Sequence, residues 1–93
     1  MTYSLHFTPS YEKRLKKWLR RHPNLHHRYL RTLQVLSVNP HHPSLRLHAL
    51  SGPLEGLHSI SIDLSQRITL ELYIQDQSIF LVDIGDHDRV YRT

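Results

Sequence analysis

Arg67-Ile68-Thr69-Leu70-Glu71-Leu72-Tyr73-Ile74 is the stretch that decides the fold. Ile68, Leu70, Leu72 and Ile74 alternate with Arg67, Thr69, Glu71 and Tyr73, and a period of two is that of a strand with one dry and one wet face. The neighbouring segments repeat the pattern. Leu57 to Leu64 alternates, with His58, Ile60, Ile62 and Leu64 on one side and Ser59, Ser61 and Asp63 on the other. Ser65-Gln66 reads as the tight turn between these two strands. Gln75-Asp76-Gln77 makes the next turn, and Ser78 to Ile84 forms a last, more continuously apolar strand that Gly85 is expected to break. Leu45-Arg46-Leu47-His48-Ala49 alternates ahead of them, with Arg46 and His48 on one face, and the turn-rich Ser51-Gly52-Pro53-Leu54-Glu55-Gly56 follows it.

The first half has a different period. After a short alternating strand at Tyr3-Ser4-Leu5-His6-Phe7, Thr8 reads as a helix cap and Pro9 as the first helical residue, where its missing N–H costs nothing. Tyr11, Leu15, Trp18 and Leu19 then share one helix face. His22-Pro23 ends this helix, because proline disfavours helical geometry in the residue before it. Asn24 can cap a second helix with an apolar stripe of Tyr29, Leu30, Leu33 and Leu36, which Asn39-Pro40 stops. The order is β-α-α-β-β-β-β. The fold class is α+β: an N-terminal strand, a two-helix hairpin, then a mostly antiparallel four-stranded sheet whose apolar face the hairpin covers, in a single domain over 1–93.

Composition narrows the function classes. Ninety-three residues allow one modest core, and no run is long and apolar enough to span a membrane. Met1-Thr2-Tyr3-Ser4-Leu5-His6 lacks the pattern of a signal peptide, and with no cysteine a reducing, cytoplasmic setting is expected. Charge is uneven: residues 1–50 hold nine Lys+Arg and one acid, whereas residues 51–93 hold three Arg and seven acids. A basic first half suits an acidic partner, either nucleic acid or an acidic protein segment; a solvated helix face explains the charge equally well. Glycine-rich phosphate loops, His-Glu-x-x-His and Gly-x-Ser-x-Gly are all missing. The adjacent pairs His26-His27 and His41-His42 diverge in direction and read as surface histidines, so no metal or other cofactor is called for.

Arg46, His48, Arg67, His87 and Tyr91 form the set of most chemical interest. Two imidazoles, cationic side chains and a phenol suit metal-independent cleavage of an RNA phosphodiester: the 2′-OH loses a proton, the phosphorane is neutralised, and the 5′ oxygen gains a proton. Each also has a structural reading. Arg67 can pair with Glu71 or Asp63, His48 can be a solvated strand residue, His87 can pin the Gly85-Asp86 turn, and Tyr91 can pack the C-terminus. Trp18 reads as core.

The run His48-Ala49-Leu50-Ser51-Gly52-Pro53-Leu54-Glu55-Gly56, the strand opened by Arg67-Ile68, and Gly85-Asp86-His87 with Val90-Tyr91-Arg92 behind it together resemble the RelE/YafQ group of type II toxins, in the RelE/ParE superfamily. The resemblance spans nearly the whole chain. It implies a ribosome-dependent mRNA endoribonuclease restrained by a cognate antitoxin protein. Carried onto this chain, it makes His48 and His87 the candidate acid and base, Arg67 the transition-state contact and Tyr91 a residue that orients the substrate or assists proton transfer; Arg46, Ser59, Ser61 and Arg92 are expected along the RNA path. Ser59 and Ser61 stand where RelE-like members carry lysines, and Asp83 where the YafQ branch carries arginine. Asp83, Asp86 and Asp88 around this end would either repel RNA or instead raise the imidazole pKa of His87 and favour its acid form. Two other readings remain: a ParE-like toxin that inhibits DNA gyrase by protein contact, and a non-catalytic nucleic-acid-binding module built on the basic hairpin.

Overall fold

The computed structural model describes residues 2–86. Its elements are β1 (Ser4–Phe7), α1 (Pro9–Arg21), α2 (His26–Val38), β2 (His48–Ala49), β3 (His58–Ser61), β4 (Gln66–Tyr73) and β5 (Ser78–Asp86), with 3₁₀ turns at Pro23–Leu25, Pro43–Leu45 and Gly52–Leu54. The α+β expectation holds. The strands form one mixed sheet in the order β1-β5-β4-β3-β2, in which β1 runs parallel to β5 and every other pairing is antiparallel. β1 therefore joins the four later strands at an edge, on the far side of both helices in sequence.

Thr8 does two jobs at the start of α1. Its hydroxyl oxygen accepts from the Tyr11 N–H at 3.3 Å, and the same hydroxyl donates to the Leu81 carbonyl of β5 at 2.8 Å. One residue thus starts the helix and fixes it to the sheet. The apolar faces of α1 and α2 meet Ile60, Ile68, Leu70, Ile79, Leu81 and Ile84 in one core with Tyr11, Trp18, Tyr29, Leu36 and Leu45. The polar side-chain atoms of Tyr11, Tyr29 and Trp18 are paired, as burial favours. Tyr11 and Tyr29 share a 2.8 Å hydroxyl hydrogen bond, and Trp18 Nε1 donates to Gln66 Oε1 at 2.8 Å. Burial pushes the Tyr11 phenol pKa well up, reinforced by Tyr29; burial also raises Tyr29, against a smaller opposing pull from its bond to Tyr11.

Four local expectations are corrected. Asn24 does not cap α2: Pro23–Leu25 winds a 3₁₀ turn, α2 begins at His26, and no side chain caps it. The strand expected over Leu45–Ala49 shrinks to His48–Ala49, because Leu45 ends a 3₁₀ turn with its side chain in the core and Arg46 takes a left-handed conformation at φ 52°. β3 stops at Ser61, and Leu64 is 84% exposed instead of facing the core. The Asp63 carboxylate accepts from the Ser65 and Gln66 N–H groups and turns the chain early, so Gln66 opens β4. Finally, Gly85 does not break β5: it lies within the strand, opposite Arg67.

Candidate nucleic-acid interface

Cross-strand neighbours in a sheet project on the same side. The register joins His48 to Ser59 and Ser59 to Thr69, and in the adjacent row joins Ser61 to Arg67 and Arg67 to Gly85. Ile60, Ile68 and Ile84 belong to the alternate set, which packs under the helices. His48, Ser59, Ser61, Thr69 and Arg67 therefore occupy the face away from the hairpin. From strand spacing and rise, the His48 and Arg67 Cα atoms lie about 10 Å apart across the sheet and about 7 Å apart along it. Long side chains from both can converge on one phosphodiester.

Arg67 is half-buried and held in place: one terminal nitrogen (Nη1) donates to the Asp63 carbonyl at 2.6 Å. That bond holds one edge of the guanidinium fork. Its cross-strand neighbours are serine and glycine, so no bulky side chain from either position crowds it. Burial lifts the Asp63 carboxyl, but hydrogen bonds from Gln66 and Ser65, with help from Arg28, hold its pKa below the ordinary aspartate value. The turn that supports Arg67 is thus anchored by an ionised carboxylate.

The remaining expected residues are distributed unevenly. His48 is exposed on β2, with its Nδ1 2.9 Å from the Arg46 carbonyl. Arg46 is exposed but lies outside the strand, so the alternation that put it on one face with His48 does not operate. Ser59 is fully buried, whereas Ser61 is half-buried and lines a cavity of about 410 Å³ with Arg28, Arg31, Thr32 and Ser44. His87, Tyr91 and Arg92 lie outside the described residues, beyond Asp86 at the end of β5.

A second feature escaped the sequence reading. Lys13 and Arg14, then Lys17 and Arg21 at successive turns, share one face of α1 and line a cleft of about 590 Å³ with Trp18, Gln66, Gly85 and Asp86. The helical spacing was visible in the sequence, but the second wall, the ends of β4 and β5, was not. Within the cleft region Arg14 pairs with Asp83 at 3.4 Å. Thr69 aligns with Asp83 and Leu70 with Leu81, which leaves Val82 as an extra residue in a bulge beside Asp83. Asp83, expected from the resemblance to replace an arginine, is therefore tied to α1. Among the described residues, no helix is long and apolar enough to cross a membrane.

This architecture, a two-helix hairpin on one face of a five-stranded sheet, matches the fold of solved YafQ toxin structures. No family model matches the chain. A curated relative, RelE4 of Methanocaldococcus jannaschii, described as a candidate toxin, is 26% identical over 90 residues, covering 97% of this chain and 92% of that protein. The crystal structure of YafQ from E. coli strain BL21(DE3) superposes with a TM-score of 0.72 at 18% identity, covering 96% of this chain and 98% of YafQ. The E. coli DinJ-YafQ toxin-antitoxin complex matches with a TM-score of 0.69 at 20% identity, covering 98% of this chain and 99% of the matched one. The resemblance read from the sequence is borne out: the chain shares the fold of these solved toxins and is similar in sequence to RelE4.

Proposed function

We propose that this chain is the toxin of a toxin–antitoxin pair and acts in the cytoplasm as a metal-independent, ribosome-dependent mRNA endoribonuclease. The observation that supports it is the row centred on Arg67, flanked by Ser61 and Gly85, with His48 two strands away on the same face and His87 following Asp86 in the chain. In this mechanism one histidine of His48 and His87 takes the proton from the ribose 2′-OH. The 2′ oxygen bonds to phosphorus, the bond to the 5′ oxygen breaks, and the other histidine protonates that leaving oxygen. The products are a 2′,3′-cyclic phosphate and a 5′-hydroxyl. The nitrogens of Arg67 not held by Asp63 neutralise the phosphorane, and Tyr91 orients the substrate. Arg46, Ser61 and Arg92 flank the path of the strand. An acidic antitoxin segment is the partner expected for the cationic cleft along α1.

Induced expression followed by primer extension on cellular mRNA tests the reading. Cleavage within translated messages is expected, lost in His87→Ala and Arg67→Ala variants that still fold. Supercoiling inhibition without mRNA cleavage would refute it in favour of gyrase inhibition, and salt-dependent RNA binding without any cleavage products would reduce the chain to a binding module.

A further inference from the structure

The Arg67 face continues along β4 through Thr69 and Glu71 to Tyr73, and its far end is aromatic. Phe80 of β5 stands opposite Glu71, and His6 of β1 stands opposite Phe80. The His6 and Phe80 rings are stacked, with centroids 4.4 Å apart and planes 14° from parallel. Tyr73 meets Phe80 edge-on at 5.6 Å and 87°, and its hydroxyl donates to Glu71 Oε2 at 2.8 Å. These contacts fix the orientation of Phe80. The Tyr73 hydroxyl also fixes the orientation of the Glu71 carboxylate in this row. β1 is the edge strand and His6 is exposed, so the stack of two rings is open on the outer face of the imidazole.

An ordered, parallel ring stack ending at an open imidazole face is suited to extension by one more flat ring. Nucleobases fill such positions readily, since each has a π-face and stacking is tolerant of sequence. We propose that His6, on Phe80 and braced by Tyr73, is a stacking platform for an unpaired base of the RNA whose phosphate lies at Arg67; the proposal rests on the ribonuclease reading. His6 lies about 16 Å from Arg67, from two strand spacings and four residues of rise. The platform therefore takes a flanking base, and the scissile nucleotide stays at Arg67 and His48. It holds the single strand against the face without reading its sequence.

The test uses the full chain and a short single-stranded RNA carrying 2-aminopurine, whose fluorescence falls on stacking. Wild type is expected to quench it. His6→Ala is expected to lose the quench and bind about 5- to 150-fold more weakly, the range for one stacked base. His6→Phe is expected to restore both. Because His6 is exposed at a sheet edge, these variants should keep the fold, and circular dichroism checks it. A wild type that leaves the fluorescence unchanged, or a His6→Ala variant that quenches and binds like wild type, overturns the platform. Ribosomal mRNA cleavage measured on the same preparations separates the two ideas. Cleavage by wild type without any His6 effect leaves the ribonuclease reading standing and removes the platform. Quenching that depends on His6 without cleavage does the reverse.

Discussion

Replacing Gln66 by leucine probes the joint between α1 and the end of the sheet that leads into the candidate site. Gln66 is 7% exposed, and its Oε1 accepts the 2.8 Å hydrogen bond from the Nε1 of Trp18, itself 5% exposed. Leucine nearly preserves the volume but offers no acceptor, so the indole N–H is left buried and unpaired. That costs about 1–3 kcal/mol, and the better burial of an apolar side chain offsets part of it, leaving about 1–2 kcal/mol. The amide nitrogen of Gln66 makes only a marginal 3.5 Å contact with Ser65 Oγ, so little is lost on that side. For a domain of this size the melting temperature should fall by roughly 5–15 °C. In urea the midpoint should drop by about 0.5–1.5 M with an unchanged slope. Trp18 is the sole tryptophan, so its fluorescence reports the transition directly. A Gln66→Leu midpoint within about 0.3 M of wild type, at the same slope, would show that the Trp18–Gln66 bond contributes nothing to holding α1.

Other outcomes follow from the same geometry. Arg67→Lys keeps the charge but loses the planar fork, so cleavage should fall by about 10²-fold or more while urea stability changes by less than about 2 kcal/mol; full activity in the lysine variant would remove the bidentate role. Tyr11 and Tyr29 are both raised in pKa by burial, so their contribution is complete below the unfolded value near 10 and declines as pH rises beyond it. Tyr11→Phe should therefore lose less stability than wild type between neutral and strongly alkaline pH, read by denaturant unfolding at each pH. Asp63 has the opposite sign. Its depressed pKa gives stability that is present above the unfolded value of 3.8 and lost as pH falls below it. Asp63→Asn should flatten the acid limb of the stability profile, and an unchanged acid limb would show that the turn does not depend on its charge.

What the sequence determined by itself is local. Thr8-Pro9 and His22-Pro23 bracket α1 because a capping hydroxyl and proline act on their immediate neighbours. The alternation from Arg67 to Tyr73 marks β4 and its two faces for the same reason, since strand geometry is set within the segment. Long-range decisions were not legible. The parallel pairing of β1 with β5 joins segments more than seventy positions apart, as the Thr8–Leu81 hydrogen bond at a separation of 73 shows. No local pattern encodes it; it depends on both strands burying one face under the same helices. Gly85 looked like a breaker because glycine is costly in an isolated strand. The structure keeps it in β5, where β4 supplies the partner and Arg67 stands opposite. Arg46 and Leu45 looked like strand residues by period, but the core claimed Leu45 and turned the chain. The residue types of the candidate site could be read from the chain, whereas the rows that join His48 to Ser59, Ser61 to Arg67 and His6 to Phe80 exist only once register is set. Register is a property of the packed sheet, because a slip of one residue would exchange its two faces.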